Sequence, residues 1–442
     1  MLNIPILTVE EKSEYLQRIA RPSLLDLAES FPPSRATEPI FGKAMKPEEA
    51  VRSILRKVRT EGDKGVMEVA RVLDNFQGEA LIYRPQKTAY DLVAPEVVDA
   101  IRLSIERVKD FHRRQLPQSF FSEEEGITLG WRVSSVKRAG LYVPGGTAPL
   151  VSSVIMTAVP AIIAGVEDII IATPVKGGRL QPEIEVAALE LGIEKILTVG
   201  GAQAIAAMAY GTESVDRVDV IAGPGNLFVT LAKKEVYGLV GIDMLAGPSE
   251  ILVIADQTAD PVLVASDLLS QAEHDTDAAA ILVTTSQKLA EAVKGELEKQ
   301  LEELPRKDYA VSSLENHGAL IVAKDLKEAA DVANQISPEH LEVQVEDPDQ
   351  VLPLLENAGA IFIGKYASEP LGDYVLGPNH VLPTSGTARF SSPLSVQTFL
   401  KASSLLKVNR QGFLKVKDGA MKIAEVEGLD AHRLSVYRRE KA

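Results

Sequence analysis

Gln271 and His274 belong to a polar run, Ser270-Gln271-Ala272-Glu273-His274-Asp275, that closes an apolar segment beginning at Asp260. Asp260 before Pro261 reads as a helix N-cap with proline at the first helical position. Val262, Leu263, Ala265, Leu268 and Leu269 supply the apolar stripe of that helix. Three residues apart, Gln271 and His274 project from one helical face. A carboxamide oxygen and an imidazole nitrogen so placed can hold a metal from two sides. A capped helix end carrying a dipole-favoured histidine gives the same pattern, so this pair alone does not decide.

Further along, Ser337-Pro338-Glu339-His340 follows a helical stretch at 326–336 and offers a carboxylate beside an imidazole for proton transfer. Gly372-Asp373-Tyr374, Pro378-Asn379-His380 and the stretch from Glu427 to His432 add carboxylates and imidazoles in loops. Taken singly, each also fits an ordinary solvated loop. Three strand-to-helix turns are glycine-rich: Pro144-Gly145-Gly146-Thr147, Gly200-Gly201-Ala202-Gln203 and Gly223-Pro224-Gly225-Asn226. Such turns let a backbone approach a phosphate at a helix N-terminus. None is a full G-x-G-x-x-G, since Phe228 stands where the third glycine would be, and three tight turns remain the alternative.

Positioning these groups falls to an alternation of short β-rich runs and small-residue helices from about residue 138. The runs lie at 139–143, 168–172, 195–199, 218–222, 251–255, 280–284, 319–322 and 360–363, with helices such as 149–164 and 202–210 between them. Alternation of this kind means parallel sheets covered by helices on both faces. Breaks near 144 and 247 divide the runs into two α/β units, one at about 139–249 inserted in, or following, the other. Upstream, 46–60 and 95–115 read as amphipathic helices, and 1–45 as an arm. No internal repeat stands out.

A chain of 442 residues implies two or more domains. The net charge of −15 disfavours nucleic acid or an anionic membrane as the main partner. Residues 384–442 run against that balance, with 11 Lys/Arg against 5 Asp/Glu. They suit docking on an acidic surface, or a solvated terminal helix. There is no cysteine, which excludes disulfides, thiolate metal sites and a cysteine nucleophile. All imidazole chemistry must come from His112, His274, His317, His340, His380 and His432. No secretory signal is apparent and no apolar stretch is long enough to span a bilayer, so a cytoplasmic protein is expected.

Read together, the stretches resemble the histidinol dehydrogenase family in order and spacing. They are Gly-Leu-Tyr-Val-Pro-Gly-Gly at 140–146, Gly-Gly-Ala-Gln-Ala-Ile at 200–205, Ala-Gly-Pro-Gly-Asn at 222–226 and Ala-Gly-Pro-Ser-Glu at 246–250. Ser-Gln-Ala-Glu-His-Asp at 270–275, Pro-Glu-His-Leu at 338–341, Leu-Gly-Asp-Tyr at 371–374 and Gly-Pro-Asn-His-Val-Leu-Pro-Thr at 377–384 continue the match, with Glu427 and His432. The resemblance covers roughly 40–440.

It implies an α/β fold of two incomplete Rossmann-like domains, one inserted in the other, in a domain-swapped homodimer with an active site shared between subunits. The expected division is an N-terminal arm at 1–40, a zinc and substrate domain at 41–138 plus 250–380, an inserted NAD domain at 139–249, and a C-terminal tail at 381–442. By the resemblance, Gln271, His274, Asp373 and His432 match the ligands of one zinc ion per subunit, and Glu339 and His340 match the acid–base pair. Tyr142, Gln203 and Asn226 match NAD contacts. Ser249, Gln271, His274, His340, Asp373, Glu427 and His432 match contacts to the substrate, L-histidinol. His112, His317 and His380 match no catalytic role, although His380 lies within a family motif.

The family oxidises L-histidinol to L-histidine in two NAD-dependent steps through an aldehyde, the last step of histidine biosynthesis. Four nitrogen and oxygen ligands without sulfur suit zinc, and Mn or Co is compatible. Without cysteine a thiohemiacetal is excluded, and a hydrated aldehyde is the remaining route. A homologous zinc and NAD alcohol dehydrogenase acting on another small polyol or a sulfonated diol is the nearest alternative; Glu427 disfavours an anionic substrate. A zinc-dependent hydrolase is a third reading, but it has no use for three nucleotide-type turns.

Overall fold

The computed structural model describes residues 2–9, 24–145, 150–175 and 179–441. Gly146 and Thr147 of the first glycine-rich turn, the expected helix start at Pro149 and much of the expected arm lie outside the described residues. In chain order the first strands are β1 (Ile6–Thr8), β2 (Ile82–Tyr83), β3 (Phe120–Glu124), β4 (Ile127–Ser135) and β5 (Arg138–Tyr142). They are followed by β6 (Asp168–Ala172), β7 (Lys195–Leu197), β8 (Val220–Ala222), β9 (Gly241–Ile242) and β10 (Glu250–Ala255). The last are β11 (Ala279–Thr284), β12 (Ala319–Val322), β13 (His340–Gln344), β14 (Ala360–Ile363) and β15 (Leu400–Val408).

Two six-stranded sheets carry the larger of two compact units, 1–115 with 137–399. One has the order β2-β7-β6-β5-β8-β9 and the other β1-β12-β11-β10-β13-β14. Numbered within themselves, β5–β9 and β10–β14 follow the same order, 3-2-1-4-5, with parallel pairing throughout. This is the doubly wound pattern short of its sixth strand. Each sheet gains an edge strand from the N-terminal region, β2 antiparallel to β7 and β1 parallel to β12. The repeat that the residue pattern does not display is a repeat of topology.

The domain boundaries follow different lines from those expected. The helical segment Pro47–Leu73, two helices joined by a kink at Gly62, packs on Gly201–Tyr210 and Leu227–Val236 of the β5–β9 half, burying Val51, Ile54, Val66 and Val69 in one core with Ala204, Ile205 and Val229. Each such side chain contributes about 1.5–3 kcal/mol on full burial. Residues 47–83 therefore belong with the expected cofactor half, not with the metal half. An amphipathic stripe shows which face is buried but not the partner that buries it. Residues 116–136 also depart from the expected division. They form β3 and β4, which pair antiparallel with each other and with β15, so 116–136 and 400–442 make the second unit. The expected tail boundary at 381 accordingly moves to 400. The second unit carries the helices Arg410–Val426 and Asp430–Arg438, with Leu406, Ile423 and Val426 exposed. Among the described residues no helix is long and apolar enough to cross a membrane.

Candidate active site

Helix–strand turns at the amino ends of the β10–β14 sheet bring the acid–base candidates together. The helix Pro261–Ala272 starts where Asp260 Oδ1 accepts the Val262 N–H at 2.9 Å. It returns antiparallel to the strands, which puts Gln271 at its end. The helix stops at Ala272, so His274 lies beyond it and the pair does not share a continuous helical face as expected. His274 is instead held by its own N–H, which donates to the Gln271 carbonyl at 3.1 Å. The helix Leu326–Ile336 returns in the same way and ends on Ser337, a buried non-glycine residue in left-handed conformation at φ 53°. Pro338 then leads Glu339 and His340 into β13. Both helices lead into the site by their C-terminal ends, whose dipoles favour a cation.

His340 is fixed by β10. Its Nδ1 lies 3.0 Å from the Glu250 carbonyl, a pure acceptor, so Nδ1 carries the proton of the neutral ring and Nε2 is the nitrogen that exchanges a proton with the site. Nε2 is buried without a hydrogen-bond partner and lies 3.7 Å from Asp373 Oδ1. The neighbouring Glu339 accepts the Glu250 N–H on Oε2 at 2.9 Å. The two backbone groups of Glu250 thus hold both members of the pair. Burial pushes the Glu339 carboxyl up to about 8, with the His340 charge opposing. Burial works against the His340 charge, but Glu339, Asp373 and Glu369 outweigh it and push the imidazole up to about 10. A cation bound by Asp373 would cancel part of that anionic field and return His340 towards a usable base.

Asp373 sits on a single π-helical turn, Gly372–Leu376, a distortion that recurs at functional sites. Gly372 packs on Phe362 so closely that a Cβ would meet the ring at 2.4 Å. Asp373 also lies 3.6 Å from His380 Nδ1, and His340, Glu369 and Asp373 each offer a ligand atom within 4.8 Å of the others. Gln271 is 1% exposed, and its Oε1 has no hydrogen-bond partner. His274 is exposed as a residue, yet desolvation of its ring depresses its basicity, with the Asp373 carboxylate opposing.

A cavity of about 510 Å³ brings Ser249, His274, Glu339 and His380 together with Pro144 and Asn226 from the other sheet's turns. A second, of about 670 Å³, is lined by Asp373 and His380 with β14 and Phe111. Of the expected cofactor residues, only Asn226 lines the first cavity. Its Oδ1 caps the helix Leu227–Val236, accepting from Phe228 and Val229 at 3.1 and 3.2 Å. Tyr142 and Gln203 are buried close by one another around the Gly200-Gly201 turn. Tyr142 OH accepts the Gly201 N–H at 3.1 Å, and Gln203 Nε2 donates to Asp74 at 2.7 Å. Asn226→Ala should cost about 1 kcal/mol of stability through the lost cap, whereas Asn226→Asp keeps the acceptor. Comparing thermal unfolding of the two separates the cap from any effect on cofactor binding.

Glu427 and His432 lie on the second unit. His112 is structural: Nδ1 donates to Val108 O at 2.8 Å, and Nε2 lies 3.5 Å from Asn379 Nδ2. His317 lies 3.6 Å from Asp277. Glu369, Glu250, Glu342 and Asp267 went unnoticed as site groups. Ser270 donates to Glu369 at 3.2 Å, the Glu369 N–H donates to Glu342 at 3.0 Å, and Gln344 bridges Glu342 to Asp267 at 2.9 and 2.7 Å. One signal was available: His340, Glu342 and Gln344 alternate with Leu341 and Val343, a strand whose polar face is buried.

Two sheets of one topology, with Glu339 buried at a cavity that turns of both sheets line, place the chain among the doubly wound α/β proteins. A family model for histidinol dehydrogenase matches residues 42–440. The histidinol dehydrogenase of Carboxydothermus hydrogenoformans is 50% identical over 394 residues, 88% of this chain and 93% of that protein. That of Bacillus subtilis is 47% identical over 395 residues, 88% of this chain and 92% of that protein. The crystal structure of histidinol dehydrogenase from Elizabethkingia anophelis superposes with a TM-score of 0.90 at 34% identity, covering 100% of this chain and 99% of that one. The chain belongs to the histidinol dehydrogenase family. These relatives support neither the polyol or sulfonated-diol alternative nor the hydrolase.

Proposed function

We propose that the protein oxidises L-histidinol to L-histidine in two NAD-dependent steps, with Glu339 and His340 as its acid–base pair. The observation that carries this is His340, its Nδ1 tied to the Glu250 carbonyl and its Nε2 buried, unpartnered and aimed beside Asp373. His340 Nε2 takes the hydroxyl proton as hydride leaves the carbinol carbon for NAD. Glu339 takes a proton from the water that adds to the aldehyde, while the protonated His340 returns its proton to the carbonyl oxygen, which gives the neutral diol and frees the imidazole for a second transfer. His340 takes a proton from the resulting diol as the second hydride leaves for a second NAD. Burial of both side chains keeps bulk water from these transfers.

Gln271, His274 and Asp373 would hold a zinc ion, with His432 as the fourth ligand. The donor types fit: the orphaned buried Gln271 carboxamide oxygen, the Asp373 carboxylate and the His274 imidazole that feels its charge make a hard-to-borderline set. When bound, zinc would supply a Lewis-acid hold on the amino and imidazole nitrogens of the substrate. Ser249 lines the same cavity, and Glu427 is assigned to the substrate's imidazole. We assign Glu427 and His432 to a second copy of the chain, which makes the working form a homodimer. NADH formation from L-histidinol should disappear on chelation and return with zinc. Absence of NADH from the zinc-loaded protein overturns the reading.

A further inference from the structure

We propose that the buried ion pair Lys233–Asp243 is a positioning device that fixes the turn Gly223–Asn226, the cofactor-side wall of the site. This rests on the reading that the Asn226 side of the cavity takes NAD. Lys233 and Asp243 side chains are 2% and 0% exposed, and the two charges are in contact. Isolated from water, such a pair is costly, and well-packed apolar residues often serve stability as well or better. Stability is therefore a weak account of the pair, and its contacts point to another task.

The contacts show the task. Lys233 Nζ donates to the Gly223 carbonyl at 3.0 Å, and Asp243 Oδ2 accepts the Gly223 N–H at 2.7 Å. Both charges are therefore spent on the two backbone groups of one residue. Gly223 sits at φ +119°, and a Cβ there would meet the Tyr142 carbonyl at 2.1 Å, so the clamp also sets the turn against the end of β5. One helical turn before Lys233, on the same face, Thr230 Oγ1 donates to the Gly225 carbonyl at 3.4 Å and the Ala246 carbonyl at 3.3 Å. Asn226 completes the set by capping that helix. The helix Leu227–Val236 thus reaches back to hold the turn that precedes it. Pro224, Gly225 and Asn226 then line the cavity shared with Ser249 and Glu339.

Lys233 and Asp243 touch no reacting atom in this scheme. They act through the turn, and their loss should appear in cofactor affinity before it appears in chemistry at saturation. The double variant K233M/D243N removes both charges together and keeps a carboxamide acceptor for the Gly223 N–H. In the zinc-loaded dimer we expect NADH binding, read by fluorescence titration, and KM for NAD to weaken about tenfold, the scale of one lost charge-assisted hydrogen bond. kcat at saturating NAD, zinc affinity and KM for histidinol should stay within about twofold, and unfolding should remain cooperative. K233Q/D243N, which keeps a polar group at each position and leaves no buried charge unpaired, should weaken NAD affinity in the same direction and serves if K233M/D243N does not fold. Unchanged NAD affinity overturns the proposal. So does a loss spread equally over NAD, zinc and histidinol, which marks a purely structural pair. A wild-type protein that makes no NADH from histidinol sinks the functional reading instead, and the two failures are told apart on the wild type.

Discussion

Replacing His340 by alanine is expected to slow both oxidation steps by roughly a thousandfold, the range of a positioned general base. The histidine is asked to accept a proton twice, once from the alcohol and once from the hydrated aldehyde. Neither neighbour is placed to take over: Glu339 is assigned to the attacking water, and Asp373 to the metal. Histidinol and supplied aldehyde should both fail as substrates, while NADH binding and zinc content stay near wild type. NADH formation at the wild-type rate removes His340 from the mechanism. Glu339→Gln separates the steps. It should cripple overall oxidation at neutral pH, yet aldehyde oxidation should recover at high pH, where hydroxide replaces the activated water. Because burial pushes Glu339 up to about 8, the ionised fraction that serves as base is small at neutral pH and grows as the pH approaches that value. The wild-type aldehyde step should therefore rise with pH and level off above about 8, whereas Glu339→Gln should show no plateau there and only climb with hydroxide.

The elements that local chemistry decides were legible in the residues. Asp260 with Pro261 marks a helix start because cap and proline act within one turn, and the helix 326–336 was read at its observed limits. What local pattern could not supply was partnership. β13 was overlooked because His340, Glu342 and Gln344 look like a solvated stretch, and only burial between β10 and β14 makes them a strand. β4 and β15 pair Ile127–Ser135 with Leu400–Val408 across a separation that no periodicity spans. Glu369 became visible as a site group only through Ser270 and His340, which come from other parts of the chain. The residues carried by family resemblance were nameable in advance, but the division of labour between the sheets was not. Gln271, His274, Glu339 and His340 lie at or just beyond helix C-termini, whose dipoles favour cations. Cofactor candidates lie on turns that begin helices, where anions are favoured. Yet Gly200, Gly201 and Gly223 already spend their N–H groups on Asp74, Tyr142 and Asp243. Those turns serve the cofactor as shaped walls more than as phosphate cradles.

A mixture of two inactive variants is expected to regain activity if Glu427 and His432 serve the partner subunit. His340→Ala disables the body of a subunit, and His432→Ala disables its tail. In a two-fold dimer with crossed tails, a mixed pair has one site with both lesions and one with neither. Equal co-expression yields mixed dimers as half the population, so activity should return to about a quarter of the wild-type level. If each tail serves its own subunit, every site carries one lesion and the mixture stays inactive. The outcome does not depend on how tightly either variant binds zinc, because the restored site is built wholly from wild-type residues. Its zinc should follow the same arithmetic: the mixed dimer should retain one tightly held ion after mild chelation. Apolar residues left exposed on the second unit, Leu406, Ile423 and Val426, are what a tail that docks on another copy would present. Substituting Val426, which is 80% exposed, by aspartate should then weaken dimerisation and activity together, whereas a tail that merely faces solvent would tolerate it.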